Sequence, residues 1–389
     1  MRTVPEIDLT DPTVLNDPFT AYDRAGDQAP LARLLAPGLG PLWAITRHEE
    51  SRAMLTDPRF GLGADSFLRP PGIPEHCRRY LHTMSEMDGP EHTRQRRLVA
   101  PAFTPRRAAE FAPRLQAIVD GLLCGLTGEL DLLAAFARPL PMEVICELVG
   151  IPDEERPTWR TSGAAVASGY GPAFLAAIPE IIDSARAAVE RSRANPGADL
   201  LSHLIRAEED DRLDDTELVT LVWHLVLAGQ TPTNLIANAV ETLLAHPDQL
   251  ATLRADPTLA PGAVEELMRW CGPQLLTTPR IAREDVEIDG VTIPRGDKVT
   301  ASIAGANRDP LAFEDPWTFD ITRPAQARGQ LGFAHGPHFC LGAPLARVQT
   351  EIALTTLLTR FPNLTLAGEL TRAPDPGTWR LAALPVRLD

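Results

Sequence analysis

Residues 333 to 342 read Phe-Ala-His-Gly-Pro-His-Phe-Cys-Leu-Gly, a glycine-punctuated loop that sets Cys340 just ahead of a helix-like run from Ala343 to Phe361. A thiolate is the ligand form of cysteine, and it is favoured where backbone N–H groups and the positive end of a helix point at the sulfur. The residues from Leu341 onward can supply both. Gly336 and Gly342 allow backbone conformations or close approaches that a side chain would block, so a flat group can lie against this loop. The five cysteines (Cys77, Cys124, Cys146, Cys271 and Cys340) are widely scattered, without the near neighbours that zinc or iron–sulfur sites need. Cys340 therefore reads as a lone metal-ligating thiolate, a ligand suited to haem iron.

The loop resembles the haem-ligand signature of the cytochrome P450 family, with Phe333, Gly336, His338, Cys340 and Gly342 at matching positions. Ala334 departs from it, because related bacterial members usually carry glycine there. The resemblance implies a mainly α fold with small β-sheets, one domain over residues 1–389 with a triangular helical body around a buried haem. It also implies haem b (iron protoporphyrin IX) ligated by Cys340, and dioxygen as co-substrate. No segment is long enough for a flavin or iron–sulfur reductase domain, so electrons are expected from a separate ferredoxin and ferredoxin reductase.

A chain of 389 residues, 44% hydrophobic, can bury a large core. Its net charge of −15 opposes binding to nucleic acid or to anionic lipid. Met1 to Thr10 contains no apolar stretch long enough for a signal peptide or anchor, and the odd cysteine count argues against a disulfide framework. A monomer in the reducing cytoplasm is expected. Apolar residues recur at helical spacing over 106–127, 139–149, 173–194, 215–245, 261–271 and 343–360. Strand-like runs occupy 286–293, 298–303 and 380–388. Asp214 and Glu217 have capping-box spacing, and the helix they open is predicted to run about thirty residues to His246-Pro247.

Glu266 and Arg269, at i and i+3, can meet on one helix face. They resemble the family's Glu-x-x-Arg pair, and Phe313 to Arg323 resembles the segment that supplies a second arginine. By that resemblance Glu266, Arg269 and Arg323 form a buried structural network. Haem propionates need basic partners if they are to be buried. His92 and Arg96, at i and i+4, resemble the family's His-x-x-x-Arg, and Arg280 and His338 match two further propionate-binding positions.

In the central helix, Ala228-Gly229-Gln230-Thr231-Pro232-Thr233 aligns with the family's Ala-Gly-x-acid-Thr stretch over the open side of the iron. Ala228 and Gly229 match and leave room for dioxygen. Thr231 stands where an acid is usual, and Pro232 where a proton-relaying threonine is usual. Proline offers neither a hydroxyl nor an N–H, and it frees the carbonyl of Ala228. Proton delivery is then expected from ordered water, from polar groups of the substrate, or from Thr231 and Thr233. His224, one turn before Ala228, should share its face with Thr231 and Leu235 and can orient a substrate or relay a proton.

By the same analogy the loop 61–86, residues 163–176, residues 275–279 and the turn Gly377 to Trp379 close a pocket for a small molecule or short peptide. The first loop carries Arg69, His76, Arg78, Arg79 and His82. Arg94, Arg97, Arg106, Arg107 and Arg347 form a candidate basic patch for an acidic ferredoxin. The leading reading is a haem-thiolate monooxygenase, most simply a hydroxylase. Two alternatives stand beside it: oxidative aryl or peptide coupling without oxygen insertion, and a non-oxygenating haem-binding sensor or partner protein.

Overall fold

Helices carry most of the chain, and they start or stop where the sequence places proline, glycine or a capping acid. The structure, a computed structural model, describes residues 4–37, 40–63, 66–67, 71–167, 171–206, 213–324 and 329–389. Helices Pro105–Leu123, Pro139–Val149, Gly171–Ala194, Ala260–Cys271 and Ala343–Arg360 match the apolar periodicities. The first two open on a proline, whose missing N–H costs nothing at a helix start. Helix Pro139–Val149 stops at Gly150, which takes φ 76°.

The chain divides into two compact units, each assembled from separate stretches. The first comprises Met1–Phe67, Ala237–Ala343 and Thr365–Pro385. Its sheet has the strand order Glu6–Asp8, Leu31–Leu35, Leu42–Ile45, Lys298–Ala301, Arg280–Ala282 and Phe60–Gly61. Leu31, Ile45, Met54, Val286, Ile293 and Val299 pack one buried cluster there. The predicted run 286–293 is a hairpin whose strands Val286–Ile288 and Val291–Ile293 flank Asp289 (φ 49°) and Gly290 (φ 76°). Two left-handed residues in succession give a turn that matches strand twist. The run 298–303 is a strand only over Lys298–Ala301, because Ser302 caps a short helix, and 380–388 narrows to Pro385–Arg387.

The second unit comprises Leu68–Ile236, Pro344–Leu364 and Val386–Asp389 and is dominated by helices. Arg156–Ala167 packs on Gly171–Ala194, and both meet Asp215–Gly229. Leu115, Val119, Leu140, Ile182, Val222 and Val226 are wholly excluded from solvent.

The long central helix is not continuous. It opens on the expected capping box, with the Asp214 carboxylate accepting from the Glu217 N–H at 2.8 Å and the Glu217 carboxylate accepting from the Asp214 N–H at 2.9 Å. It ends at Gly229, and a second helix runs from Thr231 to Ala245. Pro232 explains the break, since it has no N–H for the helical ladder. The Ala228 carbonyl instead accepts from the N–H of Gln230, so it is not left without a partner as the sequence suggested. The N–H of Thr233 turns to the Gln230 carbonyl at 3.0 Å.

Gly229 sits where the broken helix presses on its neighbour: a Cβ there would stand 2.8 Å from Ile145 Cδ1. G229A should therefore lose about 1–3 kcal/mol of stability through overpacking. I145V, which deletes the opposing methyl, should restore most of the loss in the double variant. Thermal unfolding of the four proteins checks this, and an undiminished effect in the double variant would contradict it.

Candidate active site

The cysteine loop is fixed by its own backbone. The Cys340 N–H donates to the Phe333 carbonyl at 2.9 Å, and the Phe339 N–H donates to Gly336 at 3.0 Å across a 3₁₀ turn, Gly336–His338. Gly336 takes φ 74°, and a Cβ there would stand 2.8 Å from Thr56 and 2.9 Å from the Leu55 carbonyl oxygen. Ala334 also occupies the left-handed region, at φ 58°. An L-residue there costs roughly 1–2 kcal/mol, which is the physical consequence of alanine in place of glycine. Phe333 is buried and its ring lies 6.3 Å from that of Phe339.

Cys124 and Cys340 are exposed, whereas Cys77, Cys146 and Cys271 are buried, and of the two exposed thiols only Cys340 lies in the glycine-punctuated turn. Burial pushes the Cys146 and Cys271 thiols up to about 12 and raises that of Cys77, so none of these three is poised as a thiolate. No group of three or more His, Cys, Asp or Glu suited to a metal ion occurs among the described residues. The donor set offers a single sulfur on a rigid loop.

Behind this loop, Glu266 and Arg269 are joined by two parallel bonds of 2.7 Å and are almost wholly buried. Arg323 approaches the same carboxylate at 3.3 Å. Arg269 also donates to the carbonyls of Asn307 at 2.9 Å and Pro316 at 2.8 Å. The Asn307 side chain in turn accepts the N–H of Leu331 at 2.8 Å, the residue two before Phe333. The predicted three-residue network therefore forms, and it continues into the loop that carries Cys340. Arg280, in the same unit, is buried in its strand, and His338 is half-buried.

In the second unit, His92 and Arg96 share helix Gly89–Val99, His92 buried and Arg96 half-buried. None of His92, Arg96, Arg280 and His338 is a fully solvated surface base. The neighbouring Arg94 pairs with Glu217, and Gln95 donates to the same carboxylate at 3.2 Å. Glu217 thus caps the central helix and ties the helix bearing His92 to it, a second task that its sequence spacing did not reveal.

The last turn of helix Asp215–Gly229 presents Leu227 and Ala228, both exposed, beside half-buried His224 and Gly229. Such an apolar surface, carrying one imidazole, suits contact with a flat, largely apolar ring. Leu235, expected on this face, lies beyond the helix break and is buried in the packing, while Thr231 is half-buried. Gln230 and Thr233 are buried, and neither the Gln230 Nε2 nor the Thr233 Oγ1 has a hydrogen-bond partner. Two buried polar atoms without partners thus lie on the residues either side of Thr231-Pro232. His224 Nε2 lies 2.8 Å from the Ser85 hydroxyl, a link that sequence reading missed because 139 positions separate the two. Burial pushes the His224 imidazole down to about 4.

The other pocket segments divide by unit. In the first, the Leu275 N–H donates to Gly377 at 3.0 Å and Trp379 donates to Pro273 at 2.7 Å, so residues 275–279 and the C-terminal turn adjoin. In the second, Gly163 lies against Met142 and Gln230. Residues 168–170 of the 163–176 stretch, and Arg69 with residues 64, 65, 68 and 70 of the first loop, lie outside the described residues. The basicity of that loop is largely spent locally. Arg78 pairs with Glu75 at 3.1 Å, His82 with Glu86 at 3.6 Å, and Arg79 donates to Tyr80 at 2.6 Å. Within the expected ferredoxin patch, Arg106 and Arg107 share Glu110, and Arg94 is held by Glu217.

The family model for cytochrome P450 matches residues 174–385. The chain is 42% identical to the cytochrome P450 monooxygenase PikC of Streptomyces venezuelae over 95% of its own length and 91% of that protein. The chain belongs to the cytochrome P450 family. This P450 is also 39% identical, over the whole of both chains, to the 6-deoxyerythronolide B hydroxylase of Saccharopolyspora erythraea. Its fold superposes on the ligand-free P450 monooxygenase TamI with a TM-score of 0.90 at 38% identity, covering 100% of this chain and 95% of that one. It is an oxygen-using oxidoreductase whose cofactor is haem, and it acts on a small molecule with electrons from a redox partner. That sets aside the reading as a non-oxygenating sensor.

Substituting Arg269 by Met should strand the buried Glu266 carboxylate and cost roughly 3–5 kcal/mol. Replacing Arg323, whose other bonds are at the surface, should cost less. Denaturant unfolding of the two variants tests the order, and equal losses would contradict it.

Proposed function

We propose that this P450 inserts one oxygen atom into a small organic molecule of secondary metabolism, most simply by hydroxylation. In this reading the whole chain is one P450 domain, a monomer of the cytoplasm that takes electrons from a ferredoxin and its reductase. The observation that carries it is the fixed cysteine turn: the Cys340 N–H donates to the Phe333 carbonyl at 2.9 Å, and Asn307, gripped by Arg269, holds Leu331 of the same loop at 2.8 Å. The scattered cysteines, without paired spacings, support a reducing compartment. The relatives named as a hydroxylase and as monooxygenases support oxygen insertion.

Haem b would be held through Cys340, with His92, Arg96, Arg280 and His338 offsetting its propionates and Phe333 and Gly342 completing the loop against it. Bound there, it supplies dioxygen activation, which thiolate ligation favours. The remaining tasks fall to the chain. Glu266, Arg269 and Arg323 keep the cysteine loop in place. Ala228 and Gly229 keep side-chain bulk away from the last turn of the helix. Proton movement falls to groups around Pro232, namely Thr231, Thr233 and His224, with ordered water or the substrate's own polar groups.

Pro232 itself favours a second reading. Without a hydroxyl at that position, oxidative aryl or peptide coupling, in which the substrate loses hydrogen and gains no oxygen, fits the helix as well. Labelling separates the two. Macrolactone, terpenoid, aromatic and short-peptide compounds are screened for spectral shifts of the ferric enzyme, and the best binder is turned over under ¹⁸O₂ with a plant-type ferredoxin and its reductase. A product carrying one ¹⁸O is expected. An unlabelled, hydrogen-depleted dimer or ring would reject oxygen insertion in favour of coupling.

A further inference from the structure

Of the polar groups on the uncovered side of helix Asp215–Gly229, His224 combines three properties. It stands one helical turn before Ala228, on the same side. Its Nε2 lies 2.8 Å from the hydroxyl of Ser85, which is exposed. Ser85 is its one hydrogen-bond partner among the described residues, so the second ring nitrogen is available to something other than the chain. Ser85 belongs to the short 3₁₀ turn Met84–Glu86, and Glu86 of that turn lies 3.6 Å from His82. An exposed hydroxyl with an imidazole–carboxylate pair beside it, bonded to a half-buried imidazole, forms a connected path from solvent to the helix face.

The position normally used for proton relay in this family is filled here by Pro232, which has no proton to pass. The hydroxyl of Thr233 faces into packing, buried and without a partner. We infer that Ser85 and His224 form a two-residue proton path that takes over the task of the missing hydroxyl at position 232. The inference rests on the haem reading above and deepens it. In one passage the Ser85 hydroxyl gives its proton to Nε2 and regains one from solvent, while the other ring nitrogen would release its own on the Ala228 side of the helix. The ring ends as the other neutral tautomer, and return to the first requires a ring flip or the reverse exchange. No electrons move in this step; the ferredoxin supplies two electrons for each dioxygen that oxidises substrate or leaves as hydrogen peroxide, and four for each that ends as water. Burial disfavours the charged ring, so a proton that enters it is passed on rather than kept.

Four variants of the haem-loaded enzyme test this: S85A, H224F, H224Q and P232T, the last also combined with H224F. H224Q keeps a hydrogen bond to Ser85 but lacks the second ring nitrogen, and it carries the test if H224F folds poorly. The ferrous carbonyl spectrum comes first. If the wild-type band of thiolate ligation is missing, the haem reading fails and the relay is excluded with it.

With that band present, two readouts are taken. In the infrared, the C–O stretch of the carbonyl complex should rise in H224F, because a distal donor is lost. In substrate-free turnover with plant-type ferredoxin, the share of consumed dioxygen released as hydrogen peroxide rather than water should rise about threefold in S85A, H224F and H224Q. That is small beside the 10²–10⁴ of a positioned acid, since water remains a competing donor. P232T should bring the share in H224F back toward wild type. Unchanged stretch and unchanged peroxide share would overturn the relay. A raised share that P232T leaves untouched would also overturn it, and would assign Ser85 and His224 to holding the Met84–Glu86 turn.

Discussion

One buried carboxylate organises the half of the chemistry that depends on sulfur. Glu266 is almost fully excluded from solvent, and a lone charge there would be prohibitive without compensation. Arg269 meets it with two bonds of 2.7 Å, Arg323 approaches at 3.3 Å, and the Asp320 N–H adds a third kind of donor at 3.1 Å. Because Arg269 also grips the backbone at Asn307, Pro316 and Thr318, the ion pair fixes segments distant in sequence. Asn307 then passes the constraint to Leu331 and so to the cysteine turn. The value of the network lies in the one geometry it imposes, since a buried ion pair is weak evidence for net stability.

The central helix shows the opposite strategy, in which a local rule of helix formation is broken at the place where chemistry is expected. Pro232 ends the ladder, the neighbouring N–H groups regroup as Gln230 to Ala228 and Thr233 to Gln230, and two polar side-chain atoms are left buried without partners. Departures of this kind concentrate at functional sites, because the surrounding packing must hold them. Here the packing is specific: a Cβ at Gly229 would meet the Ile145 side chain and one at Gly163 the end of Met142, so each neighbour would have to turn aside. Small residues on facing helices allow the break to sit close to its neighbours.

Much of this was legible in the sequence. The cysteine turn, the Glu266–Arg269 pair and the capping box at Asp214 are short-range patterns whose spacing fixes their geometry. The longer helices with regular apolar spacing were legible for the same reason, whereas Pro18–Gln28, His48–Thr56 and Arg156–Ala167 were not picked out. The break at Gln230 was only half legible: proline predicts a kink, but the sequence does not say which donor the Ala228 carbonyl will find. The strand Leu42–Ile45 escaped because it is buried throughout, which removes the alternation that marks a half-exposed strand, and Glu6–Asp8 alternates but spans only three residues. Long-range partners were invisible for a plainer reason. Nothing local in Ser85 or Arg94 points to His224 or Glu217, more than a hundred residues away. A charge count likewise does not show which arginines already hold a carboxylate, as Arg94, Arg106 and Arg107 do.

The central claim is that the sulfur of Cys340 is the iron ligand, and the ferrous carbonyl spectrum tests it most directly. Wild-type protein and C340S are produced with ample haem supply, reduced and exposed to carbon monoxide. The account predicts the red-shifted Soret band of thiolate ligation in the wild type and its loss in C340S. A wild type that holds haem without that band, or a band that survives in C340S, would contradict it.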